Sequence, residues 1–225
     1  MNGGSRKIEH VLPADIEKNS FSILTAELSG MGVKLEGENA PVIKRAIHTT
    51  ADFDYAGTLV FSENAVSRAK ELIKGGADIV TDTNMALSGI NKKELAKYGG
   101  SVHCFMADPL AARLAKERGV TRAAVSMELA AELARDSNKK IIFAIGNAPT
   151  ALIKLREMLD AGTFTPDFII GVPVGFVNVE AAKELIIETK VPHIVNRGRK
   201  GGSNVAAAIV NAVLYQLRDD REIDI

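Results

Sequence analysis

Lys140-Ile141-Ile142-Phe143-Ala144-Ile145-Gly146-Asn147-Ala148-Pro149 is the stretch that decides the fold. Ile141, Ile142, Phe143 and Ile145 form a short run of strong β character, which reads as a strand. Gly146-Asn147-Ala148 turns the chain, and Pro149 opens a helix that the apolar spacing carries to Leu159. The same strand-to-helix handover repeats on both sides. Toward the C-terminus, strands are expected at 168–171 and 193–195, and helices at 180–188 and 204–217. Toward the N-terminus, strands are expected at 58–61, 78–81 and 101–106. Helices are expected at 65–74, closed by Gly75-Gly76, at 109–118 after Pro109, and at 123–135 with Thr121 as its cap. Strands alternating with helices imply an α/β fold, a largely parallel sheet with helices on both faces. The first 55 residues read as a helical preface, including a helix over 13–27. Ser22 in that helix is a candidate to bond back to an earlier carbonyl. Without a repeat, low-complexity stretch or evident linker, residues 1–225 read as a single domain.

Composition narrows the function. The 225 residues are 46% hydrophobic, enough for a sizeable core, yet hold no apolar run that could span a bilayer. Met1 to Lys7 lack the apolar core of a secretory signal, so a cytoplasmic protein is expected. The formal net charge is zero and Trp is absent, which argues against nucleic acid as a partner. Cys104, the one cysteine, lies in the apolar run Val102 to Met106 and reads as a buried strand residue. His10, His48, His103 and His193 are scattered without metal-ligand spacing, so no protein-held metal is expected.

In doubly wound sheets ligands bind beyond the carboxyl ends of the strands. The unusual residues fall there repeatedly: Thr81-Asp82-Thr83-Asn84, Gly146-Asn147, Gly171 to Gly175, and Asn196 to Ser203. A ligand pocket at that edge is expected. Asp82 is either a base or, preferably, a turn former. Arg122 is a second candidate cation at a helix start. Arg197-Gly198-Arg199-Lys200-Gly201-Gly202-Ser203 places three cations among three glycines before a helix, a setting for an anion with several carboxylates or phosphates. The Walker and GxGxxG spacings are missing, so ATP and NAD have no specific support, and no cofactor is expected. Without a nucleophile elbow, nucleophilic catalysis is disfavoured. Lys44-Arg45-Ala46-Ile47-His48-Thr49-Thr50-Ala51-Asp52 supplies the proton chemistry. Pro41 stands near the start of its helix, Val42, Ile43, Ala46 and Ile47 form the apolar stripe, and Arg45 and His48 share a neighbouring, semi-buried face. His48 is the candidate catalytic group.

Taken together these motifs resemble the precorrin-8X methylmutase family, cobalt-precorrin-8 methylmutases included. The resemblance rests on Asn19-Ser20-Phe21, Arg45-Ala46-Ile47-His48, Thr81-Asp82-Thr83-Asn84-Met85, Ile145 to Leu152, Gly171 to Val177 and Arg197 to Ser203, in the family's order. It implies an isomerase of corrin-ring (cobalamin) biosynthesis. The enzyme would move a methyl group from C11 to C12 of a tetrapyrrole, giving hydrogenobyrinate or cobyrinate. The resemblance implies that His48 is the proton donor or acceptor, that Ser20 and Arg45 touch substrate, and that the protein is a homodimer with no membrane association. Thr83, Asn84, Arg122, Asn147, Gly175, Arg197, Arg199, Gly201 and Ser203 complete the expected substrate contacts. The sequence departs from the family after the GFV loop: where Glu-Ser-Lys is usual, Ala181-Ala182-Lys183 stands, with Glu180 adjacent. Two other readings fit the residues: a corrinoid carrier that does not turn its ligand over, and a small-acid isomerase.

Overall fold

The computed structural model describes residues 12–223, so His10 and the segment Met1 to Lys7 lie outside the described residues. The chain divides into two compact units, Met1–Lys34 and Leu35–Ile225. The first holds helix α1, Pro13–Gly30, opened by its proline. Within α1, Ser22 Oγ donates to Lys18 O at 3.0 Å, the back-bond expected of a serine inside a helix.

The second unit is an α/β body. Its sheet comprises β1 (Leu59–Phe61), β2 (Asp78–Thr81), β3 (Val102–His103), β4 (Ile141–Ile145), β5 (Phe168–Gly171) and β6 (His193–Asn196). The strand order is β1-β6-β5-β4-β2-β3. Strands β2 to β6 pair in parallel, while β1 runs antiparallel to β6 with Leu59 opposite Asn196. Every residue of β4 is buried, because helices cover both faces. Side chains alternate along a strand. Phe143, Ile145, Ile169 and Val195 pack in one cluster with Met127, Leu152, Leu155 and Ile186. Those come from helices α8 (Arg122–Ser137), α9 (Pro149–Asp160) and α10 (Val179–Ile187). Ile142, Ala144, Ile170 and Ile194 point to the opposite face and are equally buried. Burying an Ile or Phe side chain is worth roughly 1.5–3 kcal/mol, so these two layers fix the sheet and hence its edge. Helix α11 (Ser203–Ile223) packs on α2 (Asn39–Thr50), α4 (Ala65–Lys74), α5 (Asn84–Gly89) and α6 (Lys92–Ala96).

The structure corrects some expected boundaries. The strand expected at 101–106 is only Val102–His103. Phe105 and Met106 are apolar because they pack as a loop against the α8–α9 side of the core, not because they pair in a sheet. Cys104 therefore follows the strand and is half-buried rather than a buried strand residue. Helix α2 starts two residues before Pro41 and runs two beyond His48. Short helices α3 (Tyr55–Thr58), α5 and α6 are additions, each too brief to show a helical period. The α7 helix, Pro109–Arg118, and α8 match expectation, with Thr121 Oγ1 accepting from Ala124 N at 3.2 Å as the α8 cap.

Candidate active site at the carboxyl edge of the sheet

The parallel strands β2, β4, β5 and β6 all deliver their loops to one edge, and the loops are bonded to one another there. Asp82, fully buried after β2, accepts from the amides of Gly146 (2.9 Å), Asn147 (2.8 Å) and Ala148 (2.6 Å). Rather than forming a turn of its own, Asp82 pins the turn that follows β4 through its carboxylate. Burial pushes the Asp82 carboxyl up from its ordinary range, and the three amides pull against that. Gly146 is required by close approach, since a Cβ there would lie 2.6 Å from Ser203 Cα and 2.7 Å from Gly202 O. Gly201 is pressed in the same way onto the Val172–Pro173 backbone. Thr83 caps α5 through Ala86 N (3.1 Å) and shares a 2.8 Å hydrogen bond with Ser203 Oγ at the start of α11.

The Arg197–Ser203 loop is held from several sides. Asn196, fully buried, accepts from Thr58 Oγ1 at 2.7 Å and donates to Arg197 O (3.1 Å) and Lys200 O (2.9 Å). Arg197 N donates to Thr58 O, and Gly202 N to Val172 O, both at 2.9 Å. The loop's cations all carry carboxylate partners. Arg197 Nε bonds Glu184 at 3.1 Å, and Arg199 Nε bonds Glu180 at 2.7 Å with its guanidinium 5.5 Å from the Phe176 ring centre. Glu180, adjacent to Ala181, is thus the partner of Arg199. Lys200 Nζ reaches Asp52 (2.6 Å) and Asp54 (2.5 Å), and that ammonium holds the Asp52 carboxyl below the usual range. The two arginine pairs are exposed on both sides, so they are weak and yield readily to a competing anion.

Lys200 also brings the end of α2 to this edge. Val42, Ile43, Ala46 and Ile47 bury one stripe of α2 in the core. The helix then ends at Ala51, whose φ of 54° puts it in the left-handed region, and the chain turns into Asp52 and Asp54. The expected semi-buried face divides: Arg45 is half-buried, its guanidinium 5.1 Å from the Tyr215 ring centre on α11, and His48 is exposed. One step past the last stripe residue, His48 turns about 100° from the core. Ser20 belongs to the first unit, in the middle of α1.

Among the other expected contacts, Asn84 opens α5 and is exposed beside exposed Met85. Gly175, φ 152°, donates to Arg199 O at 3.2 Å, joining the loop after β5 to the loop after β6. Asn147 is exposed in the turn after β4. Arg122, first in α8, is exposed; its neighbour Thr121 donates to Thr150 Oγ1 in the first turn of α9 (2.8 Å), so it flanks the edge rather than joining its loops. Sequence reading missed Lys183. Its signal was there: Val179, Ala182, Lys183 and Ile186 are the buried stripe of α10, and a lysine on such a stripe demands a polar partner. Among the described residues no cluster of three His, Cys, Asp or Glu could hold a metal. No described helix is long and apolar enough to cross a membrane.

Fold and edge together define a doubly wound α/β protein whose strand ends carry a glycine-lined, cationic rim. Residues 15–216 match the family described as precorrin-8X methylmutase. The cobalt-precorrin-8 methylmutase of Salmonella typhimurium is 42% identical over 210 residues, covering 92% of this chain and 97% of that protein. The precorrin-8X methylmutase of Pseudomonas aeruginosa is 38% identical over 200 residues, covering 88% and 93%. The crystal structure of precorrin-8X methylmutase from Thermus thermophilus superposes with a TM-score of 0.78 at 34% identity, covering 92% of this chain and 98% of that one. The chain belongs to the precorrin-8X methylmutase family and is a methyl-shifting isomerase of cobalamin biosynthesis.

Proposed function

We propose that this enzyme moves the methyl group at C11 of precorrin-8X, or of its cobalt form, to C12, giving hydrogenobyrinate or cobyrinate, with His48 as the proton donor or acceptor. The observation that carries the reading is the junction made by Lys200. Its ammonium ties the segment just past α2, the helix that carries His48, to the Arg197–Ser203 loop, which supports a reading in which His48 and the cationic loop act together. A methyl shift of this kind needs no external nucleophile and no redox cofactor, only the right tautomer held in the right geometry. A proton given or accepted by His48 would favour the electron distribution in which the methyl migrates. The acetate and propionate arms of the macrocycle suit Arg197, Arg199 and the amides around Gly201 and Ser203, with Arg45, Thr83, Asn84, Asn147, Gly175 and Arg122 as further contacts. Cobalt, where present, arrives in the substrate.

We read residues 1–225 as one methylmutase domain, supported by a family match that runs through both compact units. A cytoplasmic homodimer is part of the proposal. Exposed Val174, Phe176 and Val177 on the loop after β5 support a contact with a second copy or with the macrocycle face. The test is to mix the purified protein with precorrin-8X or cobalt-precorrin-8 and follow absorbance. Appearance of the corrin chromophore is expected; tight binding with an unchanged spectrum would make the protein a carrier instead.

A further inference from the structure

Lys183 is fully buried on α10, and its ammonium donates to two main-chain carbonyls, Gly198 O at 2.7 Å and Lys200 O at 2.8 Å. Both acceptors lie in the Arg197–Ser203 loop. Asn196 takes Arg197 O and a second share of Lys200 O, and Gly175 N takes Arg199 O. Four successive carbonyls, 197 to 200, are therefore all drawn onto internal donors. In a planar trans peptide the N–H points opposite to the preceding C=O. The amides of Gly198, Arg199, Lys200 and Gly201 consequently face away from the donors Asn196, Lys183 and Gly175 N that hold those carbonyls. Between Arg197 N and Gly202 N, both satisfied by backbone, these four amides find no acceptor among the described residues. Gly198, φ 73°, supplies the left-handed turn that such a row of outward amides needs.

A buried ammonium is costly unless it is hydrogen-bonded, and burial lowers the Lys183 pKa to about 8. Its bonds to the loop are what it does at that cost. We propose that Lys183 is a positioning residue for substrate: with Asn196, and with Gly175 N on the fourth, it holds these carbonyls inward and so presents the amides of Gly198 to Gly201 to a carboxylate arm of the macrocycle. This rests on the methylmutase reading above. Lys183 touches no reacting atom, so its loss acts on binding and not on the methyl shift itself.

The experiment pairs steady-state kinetics on precorrin-8X with hydrogen exchange by mass spectrometry over segment 196–203, using hydrogenobyrinate as the probe. In the wild type these amides exchange fast in the free protein and are slowed by hydrogenobyrinate. In Lys183→Gln, KM rises about ten-fold, the worth of one charge-assisted hydrogen bond, while kcat stays within about three-fold and the protection is lost. The proposal is overturned if hydrogenobyrinate leaves the segment's exchange unchanged in active wild type. A folded Lys183→Gln with unaltered KM, or one whose kcat collapses at constant KM, overturns it too. Should the variant fail to fold, the wild-type exchange result decides alone. A wild type with no turnover overturns the methylmutase reading itself, a distinct outcome.

Discussion

Replacing Asp82 by Asn sets two large effects against each other. The carboxylate is fully buried, which favours losing its charge, yet it accepts three main-chain amides at 2.6–2.9 Å. Asn can offer its one oxygen to Asn147 N and Ala148 N, as Oδ2 does now. Its NH2 then faces Gly146 N, currently 2.9 Å from Oδ1, and two donors oppose each other. A hydrogen bond to a charged group is worth about 1.5–3 kcal/mol, and a buried donor left unsatisfied costs about 1–3 kcal/mol more. Relief of carboxylate desolvation offsets part of this. The expected net loss is about 2 kcal/mol, or about 4–8 °C in melting temperature for a domain of this size. Urea denaturation monitored by circular dichroism gives the free energy, and differential scanning calorimetry gives the temperature. A second effect follows from position: the Gly146 turn lies against Ser203, so KM for precorrin-8X rises as well. An Asp82→Asn protein as stable as wild type, or more so, would refute the reasoning: burial, not the amides, would then decide the energy of this carboxyl.

Gly146→Ala is expected to destabilise by about 1–3 kcal/mol in urea unfolding, because the new methyl must displace the Gly202–Ser203 backbone; no change would mean the two loops separate freely. His193 is buried with its Nδ1 on Val191 O at 2.8 Å, and burial lowers its pKa. The unfolded chain therefore takes up a proton near pH 6.5 that the fold resists, and the contribution present above that pH is lost as pH falls toward the folded value. Wild type should lose more stability than His193→Gln between pH 7.5 and 5.5, and equal losses would contradict this. Glu180→Gln frees Arg199 from an exposed partner. It should leave the melting temperature within about 2 °C and lower KM, whereas a raised KM would show that Glu180 orients Arg199 for the substrate.

Much of this fold is written in local patterns. The run Ile141 to Ile145 is apolar at every residue because both sides are covered, and the strand at 168–171 reads the same way. Gly75-Gly76, Pro149 and Thr121 mark helix ends by chemistry that acts within a few residues. What was not legible depends on contacts distant in sequence. Asp82 looks like a turn former until the β2–β4 pairing places it under the Gly146 amides, 64 residues away. Lys183 drew no reading of its own, because its acceptors, Gly198 O and Lys200 O, come from the loop after β6. The run after Val102 misled because apolar loop packing and apolar strand pairing leave the same composition. The cations of Arg197–Ser203 were legible as a cluster, but their carboxylate partners on α10 and past α2 were not.

The central claim is that His48 moves the proton that lets the methyl group migrate. His48→Ala, checked by circular dichroism and thermal melting for an intact fold, should bind precorrin-8X but form no corrin chromophore, with kcat down at least about 100-fold. A folded His48→Ala enzyme that converts precorrin-8X within a few-fold of the wild-type rate would contradict the account.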